Sequence, residues 1–280
     1  MSAGDAGAIE IEGRRFGWTA AGKGPPLLLV NGYAATAADW DPAFLGQLAE
    51  GFEVLCPDNR GFGDSELGEP GELSVEAMAA DLEALLDALE IERVPVVGWS
   101  MGGFVAQRLA LRAPGRVSAL ALLGADPGGK EAVLAEPAVW TALTDRSGTP
   151  REQASRLIAL LFPPALAPRM DREFGDIVAT AQALLSTAAL RAQEAAMEAW
   201  HATEQERPQQ APPTLVLHGE RDVVIPAVNA GTLADRWAAS ASSSPAPDTP
   251  SWPRSRSDWR RSCATSSAED RPVQSPREIL

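Results

Sequence analysis

The stretch from Val94 to Gly103 constrains the fold more than any other part of the chain. A β-branched run there meets a Gly-x-Ser-x-Gly motif, and a helical pattern follows. This order of strand, motif and helix is typical of a nucleophile elbow, a sharp turn that strains the serine backbone and exposes its hydroxyl. Side chains in place of Gly98 and Gly102 would collide with neighbouring backbone. The pattern therefore predicts that Ser100 is a nucleophile.

Apolar runs alternate with helical patterns on both sides of this stretch. Runs without polar alternation are typical of strands buried on both faces of a parallel sheet. Such runs occur at 27–30, 54–57, 94–97, 117–124 and 214–217. A looser alternation over 8–18 predicts an edge hairpin, and 74–90 reads as an amphipathic helix with Ser74 as its N-cap. The predicted fold class is α/β, with a mostly parallel central sheet and flanking helices.

The pattern changes between residues 127 and 210, which are helical, alanine-rich and interrupted by prolines. We therefore predict an inserted helical cap over the carboxyl end of the sheet. The core then consists of residues 1–126 and 211–238. Residues 239–280 form a low-complexity tail rich in serine and proline, a composition that predicts an irregular or disordered segment.

Three motifs in order resemble the α/β-hydrolase superfamily, and specifically its capped, lipase- and lactonase-like serine members. They are Asn31-Gly32-Tyr33 after one strand, Gly98-x-Ser100-x-Gly102 after another, and Gly219-x-x-Asp222 after a late one. The resemblance covers residues 8 to about 238. A further family-like segment, residues 58–65, is interpreted as a loop fixed by Arg60 and by glycines.

The resemblance implies a role for each matching residue. Ser100 is the nucleophile and Asp222 the carboxylate that orients the base, with Asp126 as an alternative carboxylate. The oxyanion hole is formed by the backbone N–H groups of Tyr33 and Met101, the latter at a helix N-terminus where a negative charge is stabilised. The expected substrate-binding residues are Asn31, Gly32 and Trp99. No metal ion and no cofactor are expected.

The implied function is a serine hydrolase that cleaves small-molecule carboxylic esters or lactones through an acyl-enzyme. Two alternatives stay open. One is a non-catalytic small-molecule binder on the same fold, and the other is cofactor-free perhydrolase or haloperoxidase-type activity with the same catalytic triad.

The overall composition argues against several other functions. The net charge of −14 makes a nucleic-acid partner unfavourable. No basic and apolar leader and no run of 18 apolar residues occur, so neither secretion nor membrane insertion is expected. The two cysteines, Cys56 and Cys263, lie in unlike contexts, which fits a reducing cytoplasm. The oligomeric state is left open.

The expected general base is missing from the sequence. In this family the order is serine, acid, histidine, and the histidine should follow Asp222 by roughly 25–30 residues. The chain has two histidines, His201 and His218, and both precede Asp222. His218 is interpreted as structural, and His201 is kept as a substitute base. We therefore expect catalysis to be impaired in this chain.

Reverse translation suggests why the histidine is missing. When the codons are read two bases later, Asp248-Thr249 gives YAC, a codon for His or Tyr, and Trp252-Pro253 always gives Ala. The serines at 242–244 then read as Val in suitable codons. We hypothesise that a frameshift near residue 238 produced the tail.

Sequencing the coding DNA across residues 236–270 tests this hypothesis. We expect Asp248 to be encoded by GAC, so that the shifted frame reads a histidine codon about 26 residues after Asp222. A GAT codon at that position gives tyrosine in the shifted frame and would end the hypothesis.

Overall fold

A computed structural model of the protein describes residues 5–244, with side chains described for residues 6–239. The strands are β1 (Asp5–Ile11), β2 (Arg14–Ala21), β3 (Pro26–Val30), β4 (Glu53–Pro57), β5 (Val94–Trp99), β6 (Val117–Leu123), β7 (Thr214–Gly219) and β8 (Ser240–Ser244). The helices are α1 (Pro42–Ala49), α2 (Val75–Ala88), α3 (Met101–Arg112), α4 (Pro137–Thr144), α5 (Pro150–Leu161), α6 (Ala167–Leu184), α7 (Thr187–Ala202) and α8 (Asn229–Trp237).

These strands form one sheet in the order β1-β2-β4-β3-β5-β6-β7-β8. The pairs β1–β2 and β2–β4 are antiparallel, and the remaining pairs are parallel. The predicted α/β-hydrolase architecture, with a mostly parallel sheet, is confirmed. Since parallel strands point the same way, the loops that follow β3, β5, β6 and β7 meet at one edge of the sheet, where ligands bind in open α/β folds.

Two apolar clusters cover the two faces of the sheet. Strand β3 shows how one run serves both clusters, because Leu28 and Val30 pack on one side while Leu27 and Leu29 pack on the other. All four side chains are at most 1% exposed. A strand covered on both faces needs apolar residues at every position, which explains the run without alternation.

The local predictions for the first half of the chain are confirmed. The edge hairpin is formed by β1 and β2. Helix α2 begins after Ser74, whose Oγ accepts a hydrogen bond of 3.0 Å from the Ala77 N–H. This bond satisfies one of the N–H groups that a helix start leaves unpaired.

Helices α4 to α7 follow β6 and precede β7, in the stretch predicted as an inserted cap. Over residues 124–213 the structure contains helices and loops and no strand. In the described range of residues 5–244, no helix combines the length and the apolar character needed to cross a membrane.

Strand β8 corrects the expectation that the chain is irregular from about residue 240. Residues 240–244 pair in parallel with β7, from Leu215↔Ser240 to Gly219↔Ser244. Backbone groups make the ladder, so the exposed edge of β7 directs a serine-rich segment into a strand despite its weak β propensity. The expectation of disorder over residues 245–280 lies outside the described residues.

The loop after β4 is held by a buried ion pair, as the interpretation of Arg60 proposed. The Arg60 guanidinium donates to both carboxylate oxygens of Asp81 on α2, with an Nη2 to Oδ1 distance of 2.8 Å. Arg14 on β2 donates to the same carboxylate at 3.1 Å. The side chains of Arg60 and Asp81 are 7% and 2% exposed, respectively.

We predict that Arg60→Met lowers the free energy of unfolding by about 1.5–3 kcal/mol, because the buried Asp81 carboxylate loses the two hydrogen bonds of Arg60 and keeps the one from Arg14. Urea unfolding measures this change. The control is Arg169→Met, which removes an exposed pair with Glu173 and should cost less than about 1 kcal/mol. Equal losses in the two variants would show that the buried pair does not fix the loop.

Candidate active site

The elbow between β5 and α3 has the strained geometry that the motif predicts. Ser100 has φ 54° and ψ −124°, a conformation that residues with a side chain rarely adopt. A Cβ on Gly98 would lie 2.8 Å from the Ala106 Cβ and would also overlap the Gly102 carbonyl oxygen. A Cβ on Gly102 would lie 2.6 Å from the Asn31 carbonyl oxygen. Glycine is therefore required at both positions for the sharp turn.

Hydrogen bonds hold Ser100 at the start of α3. Its N–H donates to the Leu123 carbonyl at the end of β6 over 2.9 Å, and its carbonyl accepts from the Gly103 N–H over 2.8 Å. The serine residue is partly exposed. Met101 is the first residue of α3, so its N–H belongs to the unpaired donors of a helix start.

The loop after β3 lies directly against this elbow. A Cβ built on Gly32 would be 3.4 Å from the Ser100 Cβ and 3.3 Å from the Trp99 ring. The backbone at Gly32 therefore lies beside the serine, and the oxyanion role of the Tyr33 N–H that follows it stays a prediction. The Trp99 ring is partly exposed and meets the Trp40 ring edge to face at 5.6 Å. A substrate contact by Gly32 or Trp99 stays a prediction.

The buried position of the Asn31 side chain does not agree with the prediction that it contacts the substrate. The side chain is completely buried. Its Nδ2 donates to the Pro57 carbonyl at 2.8 Å, and its Oδ1 accepts from the Trp40 indole at 2.6 Å and from the Cys56 thiol at 3.2 Å. Burial raises the pKa of the Cys56 thiol to about 12, so the thiol remains a donor. Asn31 thus ties the end of β3 to β4.

Asp222 follows β7 with its carboxylate held by the backbone. Oδ1 accepts hydrogen bonds of 2.9 Å from the N–H groups of Val224 and Ile225. Oδ2 lies 3.4 Å from the position of a Cβ built on Gly124. The carboxylate is 27% exposed. One oxygen is therefore fixed, and the other faces the space over Gly124.

Ser100 and Asp222 flank that space from opposite sides. Ser100 follows β5, Gly124 follows β6, and Asp222 follows β7, which are neighbouring strands. The axes of β5 and β7 lie two strand spacings apart, roughly 10 Å; a ring between the Ser100 and Asp222 side chains stays a prediction. Among the described residues, the atom found within 4 Å of a Cβ built on Gly124 is Asp222 Oδ2.

His218 cannot supply the intervening ring. Its side chain is 1% exposed, and Nε2 lies 2.7 Å from the Ile225 carbonyl. Since a carbonyl only accepts, Nε2 carries the ring proton. The distance from Nε2 to Asp222 Oδ2 is 3.7 Å. The structural interpretation of His218 agrees with this placement.

The two alternative site residues, Asp126 and His201, contact each other. Their Oδ2 and Nε2 atoms are 3.0 Å apart. Asp126 Oδ1 also accepts from the Gly128 N–H at 2.8 Å and from the Trp200 indole at 3.3 Å. The His201 ring packs edge to face on Phe104 at 5.5 Å. This cluster joins the residue before the predicted cap to the end of α7.

Two polar side chains of α7 at this site were not predicted from the sequence. Gln193 Oε1 accepts from the Ala34 N–H at 2.9 Å, and Glu194 Oε1 accepts from the Tyr33 hydroxyl at 2.5 Å. Both belong to an alanine-rich helical pattern, and nothing in that pattern distinguishes them from ordinary polar helix positions.

Comparisons with known proteins agree with this geometry. The sequence profile described as "alpha/beta hydrolase fold" matches residues 25–244. The chain is 30% identical over 233 residues to a 2-hydroxymuconate semialdehyde hydrolase from Pseudomonas sp. (strain CF600), across 79% of this chain and 78% of that protein. It is also 37% identical over 115 residues to uncharacterized proteins of Mycobacterium tuberculosis and Mycobacterium bovis. That match spans 41% of this chain and only 33% of those proteins.

Solved structures show the same architecture. A hydrolase from Pseudomonas aeruginosa PA01 superposes with a TM-score of 0.69 at 26% identity, over 95% of this chain and 97% of that chain. The enol-lactonase from Burkholderia xenovorans LB400 superposes with a TM-score of 0.67 at 24% identity, over 85% and 90% of the two chains. At this identity the second likeness shows the fold alone.

We predict that Gly102→Ala displaces the elbow, because the new methyl group would meet the carbonyl oxygens of Val30 and Asn31. The variant should lose about 1–3 kcal/mol of stability and most of the reactivity that Ser100 shows toward a fluorophosphonate when imidazole is added as the base. Urea unfolding and mass spectrometry measure the two effects. In the control Gly46→Ala, a Cβ has no neighbour within 4 Å, and stability should rise by about 0.5–1 kcal/mol. Unchanged Ser100 reactivity in Gly102→Ala would contradict the predicted packing.

Proposed function

The chain belongs to the alpha/beta hydrolase family, and we propose that it is a serine hydrolase that cleaves carboxylic esters or lactones through an acyl-enzyme. The observation that carries the proposal is the strained, partly exposed Ser100 at the N-terminus of α3. A backbone turn of this kind presents an alcohol to a bound carbonyl group. The hydrolase names of its relatives support a small-molecule substrate.

The proposed reaction begins when Ser100 Oγ bonds to the carbonyl carbon of the substrate and its proton passes to a base. The resulting oxyanion accepts hydrogen bonds from the N–H groups of Met101 and Tyr33. Its collapse expels the alcohol, which takes up the proton and leaves the acyl group on Ser100. Water activated by the same base then releases the acid and regenerates the serine.

The scheme needs a base, and this chain has no histidine after Asp222 to act as one. Asp222 is poised to orient a ring over Gly124, but neither histidine occupies that space. His218 is buried against the Ile225 carbonyl, and His201 is paired with Asp126. Without its histidine, a serine nucleophile loses several orders of magnitude in rate, while the oxyanion hole preserves a residual rate.

This deficiency favours one second candidate, a small-molecule binder that uses the same cleft without turnover. Both candidates keep the substrate class of small acyl compounds and need no metal or cofactor. A cytoplasmic location is part of the proposal, since Cys56 is a buried free thiol, as expected in a reducing compartment.

We predict that imidazole restores activity, because a free ring of the right size can bind between Ser100 and Asp222 and accept the proton. Hydrolysis of p-nitrophenyl acetate should rise by about tenfold or more and should saturate with imidazole concentration. Asp222→Asn should require more imidazole for the same rise. The Ser100→Ala variant, measured at each imidazole concentration, gives the solution background that is subtracted.

Two outcomes would contradict this account in different ways. If no Ser100-dependent hydrolysis occurs with or without imidazole, the binder is the better description. If hydrolysis is already fast without imidazole and is lost in His201→Ala, then His201 is the base and the site is complete.

A further inference from the structure

The backbone of residues 31–34 is contacted on one side by Asn59, a buried residue of the loop after β4. Asn59 Nδ2 lies 3.1 Å from the Asn31 carbonyl oxygen and 3.5 Å from that of Gly32. Asn59 is 5% exposed, so water competes little for these contacts. The contact to Gly32 restrains the carbonyl side of the peptide whose other end is the Tyr33 N–H, and the shorter contact to Asn31 restrains the peptide before it.

Helix α7 makes a second contact with the same segment, at Ala34. Ala34 has φ 56°, a left-handed conformation that is unfavourable for a residue with a Cβ. Its N–H donates to Gln193 Oε1 at 2.9 Å. This bond fixes the peptide that follows Tyr33 and stabilises the strained turn.

Gln193 is unusual for a buried helical residue. Its exposed fraction is 0%, and its Nε2 has no hydrogen-bond partner among the described residues. A buried amide donor without a partner destabilises the fold, and a leucine at this position would avoid that destabilisation. A leucine could fill the same buried space, but it could not accept the hydrogen bond from the Ala34 N–H.

Glu194 makes a second connection between α7 and this loop. Its Oε1 accepts from the Tyr33 hydroxyl at 2.5 Å and from the Arg146 guanidinium. Burial, together with the hydrogen bond to Glu194, raises the pKa of the Tyr33 hydroxyl above its usual range. The hydroxyl therefore stays protonated and keeps donating at neutral pH. Arg146 lies in the segment between α4 and α5, so Glu194 connects Tyr33 both to α7 and to that segment.

We propose that Gln193, supported by Glu194, is a positioning residue that keeps the Tyr33 N–H directed at the oxyanion. This inference rests on the proposed function, since it takes the Tyr33 N–H to be an oxyanion donor. Rotating the peptide between Gly32 and Tyr33 would strain the contact of Asn59 on one side and that of Gln193 on the other. The seating of α7 on the core thereby controls whether the oxyanion hole is formed.

The test is the rate at which Ser100 reacts with a fluorophosphonate, whose phosphoryl oxygen occupies the place of the oxyanion, in saturating imidazole, which supplies the base that the two histidines do not provide. The maximal rate kinact and the half-saturation concentration KI are measured separately for the full chain and its variants. Gln193→Leu should lower kinact by about tenfold or more, since a misplaced oxyanion donor weakens stabilisation of the transition state. KI should change by less than about twofold.

Three controls separate positioning from packing. Gln193→Glu keeps a side-chain oxygen that accepts from the Ala34 N–H, so it should restore most of kinact. Tyr33→Phe removes the connection to Glu194 and keeps the backbone donor, so its loss should be smaller than that of Gln193→Leu. Gln182→Leu makes the same chemical change on α6 and should react as the wild type does. Circular dichroism verifies that each variant is folded at the assay temperature.

Each result has a defined meaning. If Gln193→Leu reacts as fast as the wild type, or if the leucine and glutamate variants are equally slow, the positioning role is overturned while the hydrolase proposal stands. If the wild type does not react at Ser100 even in saturating imidazole, the proposed function fails, and this inference fails with it.

Discussion

The left-handed backbone of Ser100 is the constraint on which the rest of the site depends. A residue with a Cβ holds φ 54° only at a cost of about 1–3 kcal/mol, so its surroundings must enforce the conformation. The enforcement comes from close backbone packing at Gly98 and Gly102 and from the hydrogen bond to Leu123. That packing requires β3, β5 and β6 to lie side by side, which makes the parallel sheet a precondition for an exposed serine.

The parallel sheet also decides which groups surround the serine. Strand ends bring Ser100, Gly124 and Asp222 to one edge in that order. The orientation of the Asp222 carboxylate is fixed by hydrogen bonds from two backbone N–H groups. Strand β8 ends beside Gly219, three residues before Asp222. In the proposed scheme Asp222 orients a base, and the two histidines of the chain make their contacts elsewhere, with Asp126 and with the Ile225 carbonyl.

Local pattern was sufficient to predict the elbow, the buried strands, the capped helix α2 and the helical stretch between β6 and β7. Each depends on residues close together in sequence, such as Ser74 and Ala77. The remaining features depend on distant partners. The burial of Asn31 follows from Trp40 and Cys56, and the Asp126–His201 contact joins residues 75 positions apart. Serines at 240–244 give no strand signal, since the edge of β7 provides the pairing.

The most direct test of the central claim is to trap the acyl group on Ser100. Both steps need a base, but the activated p-nitrophenolate leaving group makes acylation less demanding than attack of water on the acetyl-serine ester. An acetyl group from p-nitrophenyl acetate should therefore form slowly and accumulate on this chain. After acid quenching, peptide mass spectrometry should find one acetyl group on the peptide that contains Ser100, and imidazole should discharge it. Acetylation confined to other residues, or equal in Ser100→Ala, would contradict the account.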